Sequence, residues 1–283
     1  KIMIEAARAF APGNMSGVFK VIPDDDPAKM HSLGLGFTVR EGATVTLSHA
    51  DTPSLTFNGE AIDFPTVNNL LAALAPDARL AIRISTPLPL SSGFGLSGAS
   101  SLAAAFAVNE LLGLGLDRVT LATAAHVAEV QNLTGLGDVC AQFHGGCLVK
   151  LVAGDPLAAE PMPVAVDVPL HYRYFGAIST REILSDAGRR ARINAAADDA
   201  LEELAELKKR VHLDIGEPIR VSRRFAEESG LLAHDGVRAA IEEVGRAGGQ
   251  ASMIMLGNAV FSTVAFTGST ETALSGQAVQ VLP

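Results

Sequence analysis

The chain has 283 residues but only two cysteines, Cys140 and Cys147, seven apart and without CxxC spacing. Such scarcity argues against a disulfide-stapled scaffold or a thiolate metal site and predicts two buried thiols in a reducing compartment. No apolar run approaches the ~20 residues that a membrane-spanning helix needs. No signal-peptide pattern opens the sequence, so a cytoplasmic protein is expected, and a first residue Lys1 in place of methionine suggests a trimmed start. Cations are also in short supply: 22 Lys and Arg against 31 Asp and Glu give a net charge of −9. With no basic run either, a general nucleic-acid surface is excluded. Internal repeats and low-complexity tracts are absent.

What remains is an ordinary globular composition, 48% hydrophobic and 19% charged. A chain this long suits two lobes and buries roughly three-quarters of its unfolded surface. The pattern predicts strands at 2–10, 31–39 and 80–84, with a turn at Ala11-Pro12-Gly13 and a hairpin from 43–48 and 54–57. Helices are expected at 68–75, 98–112 and 120–131, the last N-capped by Asp117. The stretch 134–146 predicts a tight turn and one further helical turn, followed by a strand at 147–152. Three prolines and a Gly-Asp turn in 153–163 mark the lobe boundary, dividing the chain into 1–155 and 156–283. The second part reads as strands at 164–168, 173–178, 251–256, 260–266 and 278–282. Its helices are expected near 181–185, 190–212, 218–228, 235–247 and 270–275. Interleaving without strict βαβ repetition points to an α+β fold.

The most informative stretch is PLSSGFGLSGASS, residues 89–101, which runs directly into an apolar helix. Gly93, Gly95 and Gly98 let backbone approach a ligand, Ser91, Ser92, Ser97 and Ser100 supply hydroxyls, and the helix start offers free N–H groups and a positive dipole end. Together they suit a phosphate. Although GFGLSG spells GxGxxG, a dinucleotide fingerprint needs a strand running into its first glycine, and Pro87 and Pro89 intervene. No Gly-Lys-Ser/Thr follows, which rules out a Walker loop.

Two carboxylates follow. His126 and Glu129 are three apart on a helix and share a face. Gly135 and Gly137 permit a bend that returns Asp138 toward that face. Near a phosphate loop, one carboxylate can hold Mg²⁺ and the other can orient or deprotonate an attacking hydroxyl. Glu129 on a solvated face, Asp138 as a turn cap and His126 as a satisfied core histidine are the competing readings. The HxxE pair alone does not make a zinc site, since no third ligand stands out.

These residues carry a resemblance. The chain resembles the GHMP kinase superfamily over nearly its whole length. Ala11-Pro12-Gly13 corresponds to the superfamily's first signature, and Pro89 to Ala99 is similar to its loop Pro-x3-Gly-Leu-Gly-Ser-Ser-Ala. Asp138, ahead of Gly145-Gly146, corresponds to its catalytic aspartate. Within the superfamily, the FGLSGA loop, AHVAEV at 125–130, TGLGDV at 134–139 and ISTRE at 178–182 resemble the archaeal pantoate kinase branch.

The resemblance implies a two-lobe α+β kinase, with an N-terminal nucleotide-binding lobe and a smaller C-terminal α/β lobe, using ATP and Mg²⁺. Its substrate would be (R)-pantoate, phosphorylated on the 4-hydroxyl on the way to coenzyme A. The resemblance places Pro89, Ser91, Ser92, Gly93, Phe94, Gly95, Leu96, Ser97, Gly98 and Ala99 around the ATP phosphates. Ser97 and Glu129 would hold the metal, and Asp138 would stand beside the substrate hydroxyl. Ser32, His126, Lys150 and Thr180 would line the acid substrate, with Lys150 where arginine is expected. The segment Gly248–Asn258 departs from the superfamily's third, glycine-rich motif, and Met253 and Met255 within it fit core packing as well as ligand contact. Another superfamily substrate (mevalonate, homoserine or shikimate), a non-catalytic metabolite sensor and a homodimer all stay open.

Overall fold

The computed structural model describes residues 5–283; residues 2–4 of the expected first strand lie outside the described residues. In chain order the first half comprises β1 (Ala6–Ile22), β2 (His31–His49), β3 (Ser54–Phe57), β4 (Glu60–Ala61), α1 (Pro65–Leu74), β5 (Leu80–Ser85), α2 (Leu96–Leu112), α3 (Arg118–Asn132), α4 (Asp138–His144) and β6 (Cys147–Lys150). The second half adds β7 (Glu160–Pro161), β8 (Pro169–Ala177), α5 (Thr180–Ser185), α6 (Ala187–Lys208), α7 (Gly216–Glu228), α8 (Asp235–Arg246), β9 (Ala251–Met253), β10 (Gly257–Ser262), β11 (Thr270–Ala273) and β12 (Gln280–Leu282).

The first sheet has the order β12-β1-β2-β5-β3-β4, and β6 with β7 branches from the first part of β2. The second has the order β11-β8-β10-β9. Pairing is antiparallel throughout except between β3 and β5. Helix α2 packs against β1 and β2 on one side and α1 and α3 on the other, and every residue from Gly98 to Val108 is buried. Its all-round apolar sequence, rich in alanine, is that of a helix with no solvent face. Helix α7 packs on both β1 and β9, so the two sheets share a continuous core. Among the described residues no helix is long and apolar enough to cross a membrane.

Several sequence expectations are corrected. Ala11-Pro12-Gly13 is not a turn. It lies within β1, whose register against β2 shifts between Pro12 and Asn14 and again between Ser16 and Val18. A bulge absorbs the backbone donor that proline lacks. The expected hairpin of 43–48 with 54–57 does not form, because β5 inserts between the two: Ile82 pairs with Leu47 on one side and Leu55 on the other. Helix α1 supplies the crossover that parallel pairing of β3 with β5 requires. Residues 164–168 form no strand and turn at Asp167. The expected helix at 270–275 is strand β11, where alternating Thr270 and Thr272 suit a pleated edge.

Candidate active site

The loop before α2 is built from backbone. Ser91, Gly93 and Gly95 have φ of +58°, +89° and +60°, and the Ser92 hydroxyl donates to the Pro89 carbonyl. Gly95 is the N-cap of α2 and no side chain caps the helix. The first-turn N–H groups of Leu96, Ser97 and Gly98 precede the first intrahelical bond, Ala99 N–H to the Gly95 carbonyl. A side chain at Gly95 would be strained by its φ and would place its Cβ 2.7 Å from Asp138 Oδ1. The loop is pinned from three sides. Asn14 N–H donates to the Phe94 carbonyl at 2.9 Å, Gln142 Nε2 donates to the Gly95 carbonyl at 2.8 Å, and Phe94 packs edge-on against Tyr172. From the second sheet, the turn at 254–257 closes against it, and a Cβ on Gly257 would overlap the Ser92 carbonyl. That turn occupies the departing segment Gly248–Asn258. Met253 and Met255 are buried there, and Met255 N–H donates to the Ser16 carbonyl at 2.9 Å.

Glu129 and Asp138 converge beside this loop. Glu129, on α3, is buried; its Oε1 accepts from the hydroxyls of Ser97 and Thr134, the latter at 2.8 Å. The hydroxyl of Thr66 joins the same cluster, 3.3 Å from those of Ser97 and Thr134. Glu129 Oε2 has no partner. Burial, reinforced by the nearby Asp138, pushes the Glu129 carboxyl up to about 7. Asp138 opens α4, and its Oδ1 accepts from Asn14 Nδ2 at 2.8 Å. Burial raises it to about 6 against the opposing pull of that bond. The position of a Cβ on Gly135 lies 2.5 Å from Glu129 Oε2 and 3.1 Å from Asp138 Oδ2, so both free oxygens face one small space.

Two cavities flank this site, and Asp138 lines the larger of them. The larger is lined by the 90–97 loop, Leu133, Thr134, Asp138, Ile178, Thr180, Arg181 and Leu256. The other lies under β1 and β2, where Asn14, Ser16, Ser32, Gly137, Cys140 and Lys150 line it. A narrow space bordered by Ser16, Ser32, Asp138 and Leu256 lies between them. The structure thus brings Ser97, Glu129, Asp138 and residues 91–97 together and places Ser32 and Lys150 in the neighbouring cavity. Thr180 lines the loop side instead. His126 lines neither cavity: it is buried, its Nε2–H donates to the Met30 carbonyl at 2.8 Å, and burial lowers its pKa. Lys150 is buried too, donates to the Asp155 carbonyl, and has its pKa lowered by burial. Pro89, Gly98 and Ala99 frame the loop. Cys140 and Cys147 are free, buried thiols pushed up by burial, Cys140 to about 11.

Sequence reasoning missed Asn14, Ser16, Thr66 and Arg181. Asn14 and Ser16 follow the Ala11-Pro12-Gly13 signature at a strand's two-residue spacing, and Arg181 adjoins Thr180. Thr66 carries no sequence signal.

Residues 64–146 match the model of the GHMP kinases N-terminal domain. The chain is 32% identical to the pantoate kinase of Thermococcus kodakarensis over 276 residues, covering 91% of this chain and 87% of that protein. It is 29% identical to the pantoate kinase of Methanocaldococcus jannaschii over 255 residues, 89% and 90% of the two chains. A solved structure described as a phosphotransferase related to the CoA biosynthesis pathway superposes with a TM-score of 0.83 over 98% of both chains at 24% identity, a likeness of fold. The chain belongs to the pantoate kinase family of GHMP kinases.

Proposed function

We infer that the protein transfers the terminal phosphoryl group of ATP to the 4-hydroxyl of (R)-pantoate, in coenzyme A biosynthesis. The observation that carries this reading is the position of Asp138, on the backbone-lined cleft and on the narrow space between it and a pocket whose buried cation, Lys150, makes no salt bridge among the described residues.

In this reading residues 1–155 form the nucleotide-binding lobe, and 156–283 contribute Thr180, Arg181 and the 254–257 turn. The free amides at the start of α2 and the left-handed loop receive the polyphosphate. Lys150 meets the substrate carboxylate as a point charge, without arginine's bidentate fork. Ser32 sits beside it as a hydroxyl partner. Asp138, fixed by Asn14, orients the attacking hydroxyl and takes its proton as the phosphorus–oxygen bond forms.

The acidic pair also fits Mg²⁺. Glu129 Oε2 is a buried oxygen without a donor, the Ser97 hydroxyl lies on the same carboxylate, and both are hard oxygen ligands. Among the described residues no group of three or more His, Cys, Asp or Glu is set to hold a metal. A cation held by Glu129 and Ser97 would therefore complete its shell with phosphate and water. When bound, Mg²⁺ neutralises charge on the phosphate oxygens.

The test is ADP release with (R)-pantoate, mevalonate, homoserine and shikimate supplied separately. Turnover with pantoate far above the others is expected. Preference for another acceptor would reassign the substrate, and no turnover with any would favour a binding protein without catalysis.

A further inference from the structure

The ISTRE stretch places a second functional group at the site. Arg181 opens α5 next to Thr180 and is the only cation among the described residues lining the glycine-loop cleft. The ionised side chain sharing that cleft is Asp138, and Glu129 lies just behind it. A triphosphate entering this space therefore meets acid on one side. The dipole of α2 supplies about half a positive charge, and Lys150 belongs to the neighbouring cavity.

The guanidinium is already half-positioned. Arg181 Nη2 donates to the Asn132 carbonyl at 3.0 Å, at the end of the helix that carries Glu129. Asn132 immediately precedes Leu133 and Thr134, both of which line the cleft. A guanidinium has five N–H donors. Among the described residues this is the one hydrogen bond its side chain makes, and it has no carboxylate partner. A fixed, exposed fork of this kind suits the bidentate geometry of phosphate.

We propose that Arg181 is a phosphate-binding residue of the nucleotide cleft, engaging the outer phosphates of a nucleoside triphosphate while its tether to Asn132 fixes its direction. This rests on the phosphotransfer reading, but its test does not require turnover. ATP, ADP and AMP binding are measured by calorimetry, without acceptor, on the wild type, Arg181→Ala and Arg181→Lys, with thermal unfolding as the check on folding. Loss of charge-assisted bonds predicts ~10–100-fold weaker ATP binding for Arg181→Ala, unchanged AMP binding and partial recovery in Arg181→Lys. In steady state the KM for ATP should rise and that for the acceptor should hold. Unchanged ATP affinity, or equal losses for ATP and AMP, would overturn the assignment. So would a rise confined to the acceptor KM, which would give the arginine to the acid. If the wild type binds ATP but phosphorylates no acceptor, the phosphotransfer reading fails while this one is still decided by the binding series.

Discussion

The two cavities that Asp138 stands between are made differently. One is walled by main chain: left-handed residues, an uncapped helix start and a glycine turn pressed against it. The other is walled by side chains, with a buried lysine, a serine and an asparagine between strands. A site of backbone amides recognises what all phosphate donors share and tolerates change in side chains, though not in Cβ atoms. A site of buried ionisable groups recognises one acceptor and is sensitive to each charge. On the proposed reading, donor binding and acceptor choice should therefore be separable by mutation.

The largest effect should come at the junction. Asp138→Asn is expected to fold normally and lose ~10²–10⁴ in kcat, the range of general-base contributions. With its carboxyl raised to about 6, the wild-type rate should fall as pH drops through that value, and the acid limb should vanish in the variant. A pH-rate profile of both proteins checks this; an unimpaired variant would remove Asp138 from the chemistry. Next, Lys150→Ala should raise the acceptor KM by ~10–100-fold, the loss of a charge-assisted bond, and leave the KM for ATP nearly unchanged. Equal rises in both would erase the division between the cavities.

The main-chain wall is tested by Gly257→Ala. Its Cβ would overlap the Ser92 carbonyl, so the loop must move, at a cost of ~1–3 kcal/mol in stability. ATP affinity measured by calorimetry should fall with it, whereas acceptor KM should follow only weakly.

The last expected effect is one of stability. Glu129 in the folded protein titrates at about 7 against an ordinary 4.5, so the folded state holds this proton more tightly than the unfolded one. Its contribution is complete below pH 4.5 and is lost as pH rises through 7. Glu129→Gln, neutral throughout, should therefore gain up to ~3 kcal/mol on the wild type at pH 8 and little at pH 4.5. Urea unfolding at the two pH values reads the difference. On the proposed metal role, added Mg²⁺ should raise the Tm of the wild type and leave that of the variant unchanged. A variant that is destabilised at pH 8 would contradict the burial argument.

Much of this site was legible in the residues because it is local. The loop 89–99, helix α2 and the spacing of Glu129 from Asp138 are encoded within about fifty consecutive positions, and the free backbone of a glycine-serine loop announces itself. Long-range pairing was not legible. Nothing in 54–57 indicates that its partner is 80–85 and not 43–48, since both offer alternating apolar residues. Pro12 reads as a turn until its strand's bulge is seen. Thr270 and Thr272 read as helix until β8 is found to need an edge. Asn14 could not be placed on Asp138, because 124 residues separate the two. Arg181 likewise depends on where α5 meets the end of α3.

The pairing of β12 with β1 joins Arg8–Phe10 to Gln280–Leu282, and the adjoining Val279 N–H donates to the carbonyl of Gln142, whose side chain holds Gly95. During synthesis the first of these segments leaves the ribosome long before its neighbour exists. It must wait with open backbone valences, the condition in which strand edges recruit wrong partners. On the proposed reading the phosphate loop is fully braced only once residues 279–282 have docked, and nascent chains arrested short of residue 279 should be poor nucleotide binders.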